Sequence, residues 1–174
     1  MKHRFEGFPI FHGLSTDEIE RVLGGSEELA LGAHEKIFQK GDACDGFFVI
    51  TEGKVEIRRN DPNGGEFRVA VLGKPSVFGE MSLIVDRPRS AAAIALEAVK
   101  LTKVSKKVFD DLIAQGDLAA YKVIRSCARI ITERLKVTEE QFLATLKEVG
   151  SDKREKKLAE LQQFRQKLFT EWSF

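Results

Sequence analysis

The stretch GEMSLIVDRPRSA, residues 79–91, gathers residue types that can bind an anion. Gly79 and Glu80 open a short apolar turn, Asp86 to Arg89 reads Asp-Arg-Pro-Arg, and Ser90 leads into Ala91, Ala92 and Ala93. The first amides of a helical turn placed after Gly79, those of Glu80, Met81 and Ser82, lack internal partners and carry the positive end of the peptide dipole. Glycine at 79 lets a ligand approach the backbone closely. Arg89 offers a planar fork of donors matched to two phosphate oxygens. Ser90 adds a hydroxyl and an amide, and the alanines from Ala91 onward keep side-chain bulk low. Glu80, acceptor-only when ionised, repels phosphate but can accept from sugar hydroxyls beside it. Together these residues have the parts to hold one phosphate fused to a hydroxyl-bearing ring. Taken alone, an arginine near a carboxylate reads more simply as a structural ion pair. That simpler reading leaves Gly79, Ser90 and the small-residue run unexplained.

The elements that must position these residues are legible from periodicity. Ser15 followed by Glu18 forms a capping box, Ile19, Val22 and Leu23 supply a helical face, and Gly24-Gly25 stop it, so a short N-terminal helix is expected. From about residue 27 to 104 the period becomes two. KVEIRR alternates Val55 and Ile57 against charges, and EFRVAVL alternates Phe67, Val69 and Val71 against Arg68 and Ala70. Turn signals recur at 41–46, 52–53, 61–65, 73–75 and 86–88, which argues for a sandwich, barrel or jelly roll. The strand before residues 79–91 is expected to end at Phe78-Gly79, and Arg89 to begin the next one.

After Val104 the pattern is helical again. A helix capped at Ser105 places Val108, Phe109, Leu112 and Ile113 on one face. A longer helix from Asp117 carries Tyr121, Ile124, Ala128, Ile131, Leu135, Thr138, Phe142, Thr145 and Val149 at alternating steps of three and four, a heptad seam. This predicts a parallel homodimer through residues 117–149, with docking inside the chain as the alternative. Beyond a break at Gly150-Ser151, the leucines and aromatics from Leu158 to Trp172 suggest an amphipathic helix that folds back or docks a partner. The expected division is 1–115 for the strand-rich domain with its flanking helices, 116–149 for the long helix and 150–174 for the tail.

Composition narrows the function. The 174 residues are 43% hydrophobic and 32% charged with a net charge of +1, so any anion site must be local rather than part of a global field. Thirteen phenylalanines against one tryptophan and one tyrosine point to core filling rather than base stacking. Cys44 and Cys127 lack ligand spacing and read as two buried thiols in a reducing compartment. His3, His12 and His34 are scattered, Asp42 and Asp45 read as turn residues, and no metal site is expected. No run is apolar and long enough to span a membrane, so a cytoplasmic protein is expected and membrane binding is not.

The stretch FGEMSLIVDRPRSA resembles the phosphate-binding cassette of cyclic nucleotide-binding domains, the family of catabolite activator proteins and of regulatory subunits of cyclic AMP-dependent protein kinase. Upstream, GDACDGFFVITEGKVEI resembles the same family's glycine-punctuated strand pair, through Gly41, Asp42, Phe48, Val49, Gly53 and Val55, and FHGLS resembles the entry to its first helix. The resemblance covers roughly residues 8–149. It implies a mainly β fold: an eight-stranded, jelly-roll-like β-roll with a short N-terminal helix and a long C-terminal dimerisation helix.

The resemblance also implies roles. Glu80 accepts the ribose 2′-hydroxyl, Gly79 gives backbone approach, Arg89 pairs with the exocyclic phosphate oxygens and Ser90 adds a phosphate contact, with Met81, Ser82 and Ala91 completing the cassette. Ile57 and Leu72 fall where the family lines the base pocket, and Leu83 matches the leucine that couples ligand to the following helices. ERLKVTEEQF resembles the family's dimer helix, placing Arg134 near the ligand and Thr138 at the adenine amino group. Glu139 stands where the other protomer contributes a serine, which departs from that pattern.

These readings predict a stand-alone cyclic AMP receptor, not an enzyme, that takes no cofactor and signals to a protein partner by rearranging its C-terminal helices. The alternatives are a cyclic GMP sensor, or a constitutive dimerisation or scaffold module with a degenerate pocket. DNA binding is not expected, because the chain after Val149 lacks a second helix pair and a clustered basic recognition face.

Overall fold

The computed structural model describes residues 4–61 and 64–148, with side chains throughout except at 82–83 and 146–148. The expected tail helix from 150 to 174, and Val149 of the seam, lie outside the described residues. Eight strands form two antiparallel four-stranded sheets. One has the order β1 (Glu27–Leu31), β8 (Val99–Ser105), β3 (Gly46–Glu52), β6 (Val77–Phe78); the other runs β2 (Lys36–Phe38), β7 (Ala92–Ala95), β4 (Lys54–Asn60), β5 (Glu66–Gly73). This is the expected β-roll.

Strand β3 organises the interior because both of its faces are covered. Its run Gly46 to Ile50 is buried without alternation, as a strand sandwiched between two layers requires. Phe48 and Ile50 point into the roll, where they join Val55, Phe78, Ala93, Ala95, Val99 and Leu101. Phe47 and Val49 face the other way, into a cluster with the helices. That second cluster takes in Phe5, Phe8 and Phe11 around a 3-10 turn at Pro9–Phe11, with the three rings packed edge to face.

Among the described residues, four α-helices accompany the roll: α1 (Thr16–Val22), α2 (Glu80–Val85), α3 (Lys106–Ala114) and α4 (Leu118–Glu148). The capping box on α1 forms as the sequence predicts, Glu18 N–H donating to Ser15 Oγ and Ser15 N–H to the Glu18 carboxylate. Ser105 occupies the N-cap position of α3, but its hydroxyl makes no capping hydrogen bond. Phe109 of α3 meets Phe47 edge to face at 6.3 Å. Asp117 caps α4 by accepting from the Ala119 amide, and Lys122 and Asp117 pair with Glu18 and Arg21 of α1.

Two compact units divide within α4: the first runs to Ile130 and the second starts at Ile131. In the first unit, Ala119, Ala120, Val123 and Cys127 are the buried face of α4, while Tyr121 of the predicted seam is half exposed. In the second, Leu135, Val137 and Leu143 are exposed, and Thr138 and Thr145 donate their hydroxyls to the carbonyls of Arg134 and Gln141, four residues back. No helix among the described residues is long and apolar enough to cross a membrane.

Strand β5 departs from the simplest reading of its alternation. Phe67, Val69 and Val71 are all exposed, and Leu72, opposite the buried Val55, packs against the roll interior. A register shift between Ile57 and Arg58 interrupts the pair halfway along, and the larger apolar set is the outward one on both sides of it. Cys127 is buried as expected, Cys44 is only partly so, and neither is in a disulfide.

Candidate functional site

The cassette connects β6 to β7. Phe78 ends β6, Gly79 turns the chain at φ +79°, and Glu80 starts α2 with 1% of its surface exposed. Asp86 then adopts φ +47° and releases the chain into Arg87-Pro88-Arg89. Arg89 does not begin a strand; it sits three residues before β7, in the connecting segment. Its backbone is nevertheless fixed at both ends, because its N–H donates to Asp42 O at 2.8 Å and its carbonyl accepts from Gly41 N–H at 2.8 Å. The loop between β2 and β3 therefore carries the arginine.

The Arg89 side chain is 1% exposed and runs into the roll rather than into solvent. Nη1 donates to the Gly79 carbonyl at 2.9 Å, and Nη2 donates to the Gly46 carbonyl at 2.7 Å and to Asp45 Oδ1 at 2.8 Å. The guanidinium carbon lies 4.4 Å from the Phe38 ring centroid and 5.5 Å from that of Phe48. Phe48 in turn stacks on Phe78 at 5.1 Å with an interplanar angle of 12°. A buried cation must be answered by charge or dipoles, and here one carboxylate, two carbonyls and two ring faces do so.

Two features keep this arrangement from being a closed structural ion pair. Asp45 is shared, since its second oxygen accepts from Lys103 Nζ at 2.6 Å, so one carboxylate serves two cations. Partial burial works to raise the Asp45 carboxyl, but hydrogen bonding and charge from Lys103, with Arg89 behind it, hold it below its ordinary value of 3.8. Arg89 Nε, moreover, is buried and has no hydrogen-bond partner. Leaving such a donor unmade costs about 1–3 kcal/mol, more for a charged group. A ligand anion that accepted from it would recover that cost.

The structure brings Gly79, Glu80 and Arg89 into direct proximity. A Cβ on Gly79 would stand 2.6 Å from Arg89 Nη1, so a side chain there would displace the guanidinium. Ser90 and Met81 are exposed and Ala91 is half-buried at the start of the run into β7, whereas the side chains of Ser82 and Leu83 are outside the described set. Ile57 and Leu72 lie on neighbouring strands, two pairs apart in register, with Ile57 opposite Ala70 and Leu72 opposite Val55, and both pack against the roll interior. Arg134 and Thr138 belong to the second unit.

Sequence reasoning missed Asp45, which it took for a turn residue, and missed the aromatic floor of Phe38 and Phe48 altogether. No local sequence signal marks Asp45 as a partner of Arg89, since the two lie 44 residues apart. Three of the five N–H donors of Arg89 are already engaged within the protein.

Comparison with known proteins gives concordant results. Residues 28–116, half of the chain, match the cyclic nucleotide-binding domain family. The chain is 32% identical over 128 residues to a cyclic AMP receptor protein of Thermus thermophilus, covering 74% of this chain and 59% of that one. It is 40% identical over 80 residues to a cAMP-dependent protein kinase type II regulatory subunit of Drosophila melanogaster, covering 45% of this chain and 21% of that one. The chain thus spans less than two thirds of either relative. A crystal structure of a cyclic nucleotide-binding domain from Methylobacillus flagellatus superposes with a TM-score of 0.70 at 25% identity, covering 79% of this chain and 76% of that one.

Proposed function

The chain belongs to the cyclic nucleotide-binding domain family, and from that premise we propose that it is a cyclic AMP receptor whose C-terminal helices carry the signal to a protein partner. The observation that supports this reading most is the unpartnered Nε of Arg89, a buried cationic donor at the junction of the cassette and the β2–β3 loop. In this reading the cyclic phosphate takes that donor and Ser90, and Glu80 accepts the ribose 2′-hydroxyl. Gly79 keeps the backbone clear, the amides of Met81 and Ser82 and the small Ala91 border the phosphate, and Ile57 and Leu72 line the base. Leu83 couples the cassette to the helices, and the seam of α4 pairs two copies of the chain. The relatives named for cyclic AMP favour that nucleotide over cyclic GMP. Thr138 agrees chemically, because its hydroxyl proton is already donated to the Arg134 carbonyl, leaving lone pairs suited to an adenine amine rather than to a guanine carbonyl.

A second reading has a specific observation behind it. Asp45, Gly46 and Gly79 already hold the guanidinium, as they would in a scaffold module that keeps the roll but binds no nucleotide. Titration calorimetry separates the two. Micromolar or tighter binding of cyclic AMP, weakened by about 2–5 kcal/mol in Arg89→Ala as for truncation of one partner of a buried charge pair, supports the receptor. No heat with either cyclic nucleotide leaves the scaffold.

A further inference from the structure

We propose that Phe38 is a positioning residue for nucleotide binding: its ring is the floor that holds the Arg89 guanidinium in the plane from which Nε meets the phosphate. This rests on the receptor reading and adds to it a residue that contacts no ligand atom itself. Phe38 ends β2, three residues before the loop glycine whose N–H binds the Arg89 carbonyl. It is partly buried, and its ring tilts against Phe48 and Phe78 at 5.7 and 5.9 Å. Those two contacts restrain the ring, and Arg89 lies over it at 4.4 Å.

The physical need for such a floor follows from the hydrogen bonds. Nη1 and Nη2 are held by Gly79, Gly46 and Asp45, but Asp45 is 58% exposed and also bound to Lys103, so that anchor is the compliant one. Without a surface beneath it, the guanidinium can swing about its remaining bonds and carry Nε off line. An aromatic face attracts a desolvated cation and restrains its plane at once. An aliphatic side chain of similar size fills the same volume but has no quadrupole and no flat face.

The test uses the full chain with Phe38→Leu and Phe38→Tyr. In the free protein, the Nε–H resonance of Arg89 in a proton–nitrogen correlation spectrum is expected to carry a ring-current shift that Phe38→Leu reduces, leaving the part due to the more distant Phe48, and that Phe38→Tyr retains. Cyclic AMP affinity, by calorimetry, is expected to fall roughly tenfold in Phe38→Leu and to stay within about twofold of wild type in Phe38→Tyr. Leucine binding as tightly as wild type, or leucine and tyrosine weakening it equally, overturns the proposal alone. A wild-type chain that binds neither cyclic nucleotide overturns the receptor reading and this proposal with it.

Discussion

Replacing Gly79 with alanine perturbs Arg89 without touching it. Gly79 sits at φ +79°, where an L-residue pays roughly 1–2 kcal/mol. The new methyl would stand 2.6 Å from Arg89 Nη1, against the 3.4 Å or more of ordinary contact. The guanidinium must therefore withdraw by several tenths of an ångström, and it is already tied at 2.7–2.9 Å to three acceptors. Losing one charge-assisted bond costs a further ~1.5–3 kcal/mol. The total loss of stability is about 2.5–5 kcal/mol, a drop in Tm of roughly 5–20 °C for a chain of this size. Because the withdrawn cation no longer meets the phosphate, cyclic AMP affinity is expected to fall by about 10- to 150-fold. Gly116→Ala is the control: it also has positive φ, at +69°, but nothing lies within 4 Å of its Cβ. It should lose only the strain and bind as wild type does. Thermal unfolding and calorimetry on both variants decide the matter, and Gly79→Ala binding like Gly116→Ala would refute the reasoning.

Three further outcomes follow from the same geometry. Glu80→Gln is expected to erase most of the preference for cyclic AMP over its 2′-deoxy analogue, a preference of about tenfold or more in the wild type; full discrimination in the variant would remove Glu80 from the ribose. Phe47→Ala should cost about 3–5 kcal/mol because Phe47 is fully buried against Phe109. Val71→Thr, by contrast, should stay within ~0.5 kcal/mol on its exposed face, and chemical denaturation compares the two. Acid should destabilise the fold. Lys122 and the Ser15 amide hold Glu18 below its ordinary carboxylate range, Arg58 and Arg68 do so for Glu56, and Arg21 with the Ala119 amide does so for Asp117. Each folded value is depressed, so the unfolded chain takes up protons first as pH falls. The stabilisation is complete above the ordinary values of 4.5 and 3.8 and is lost as pH drops through the lower folded ones. Melts between neutral pH and about pH 3 should therefore show a Tm level at first and falling at the acid end, and a Tm level throughout would contradict this.

Much of the fold was legible because its signals are local. Ser15 and Glu18 announce a helix start by residues three apart, and KVEIRR announces a strand by alternation within six. The cassette was legible for the same reason: Gly79, Glu80, Arg89 and Ser90 fall within twelve residues of one another, and their chemistry is readable from type and spacing. What surrounds Arg89 was not, since Asp45 and Phe38 reach it from a different loop and strand through contacts that sequence order does not display. The facing of β5 was not legible because alternation marks two faces without saying which is inward, and here the more apolar set, Phe67, Val69 and Val71, is the outward one. The heptad seam identified α4 but not the face it shows the roll, which is the neighbouring stripe of Ala119, Ala120, Val123 and Cys127. Small residues there let the helix lie close, and a search weighted toward large apolar side chains passes over them.

The most direct test is a crystal structure of the chain grown with cyclic AMP. The account predicts a phosphate oxygen within hydrogen-bonding distance of Arg89 Nε, the ribose 2′-hydroxyl at Glu80, and Phe38 still beneath the guanidinium. A nucleotide bound elsewhere on the molecule, with Arg89 still held only by Asp45, Gly46 and Gly79, would contradict it.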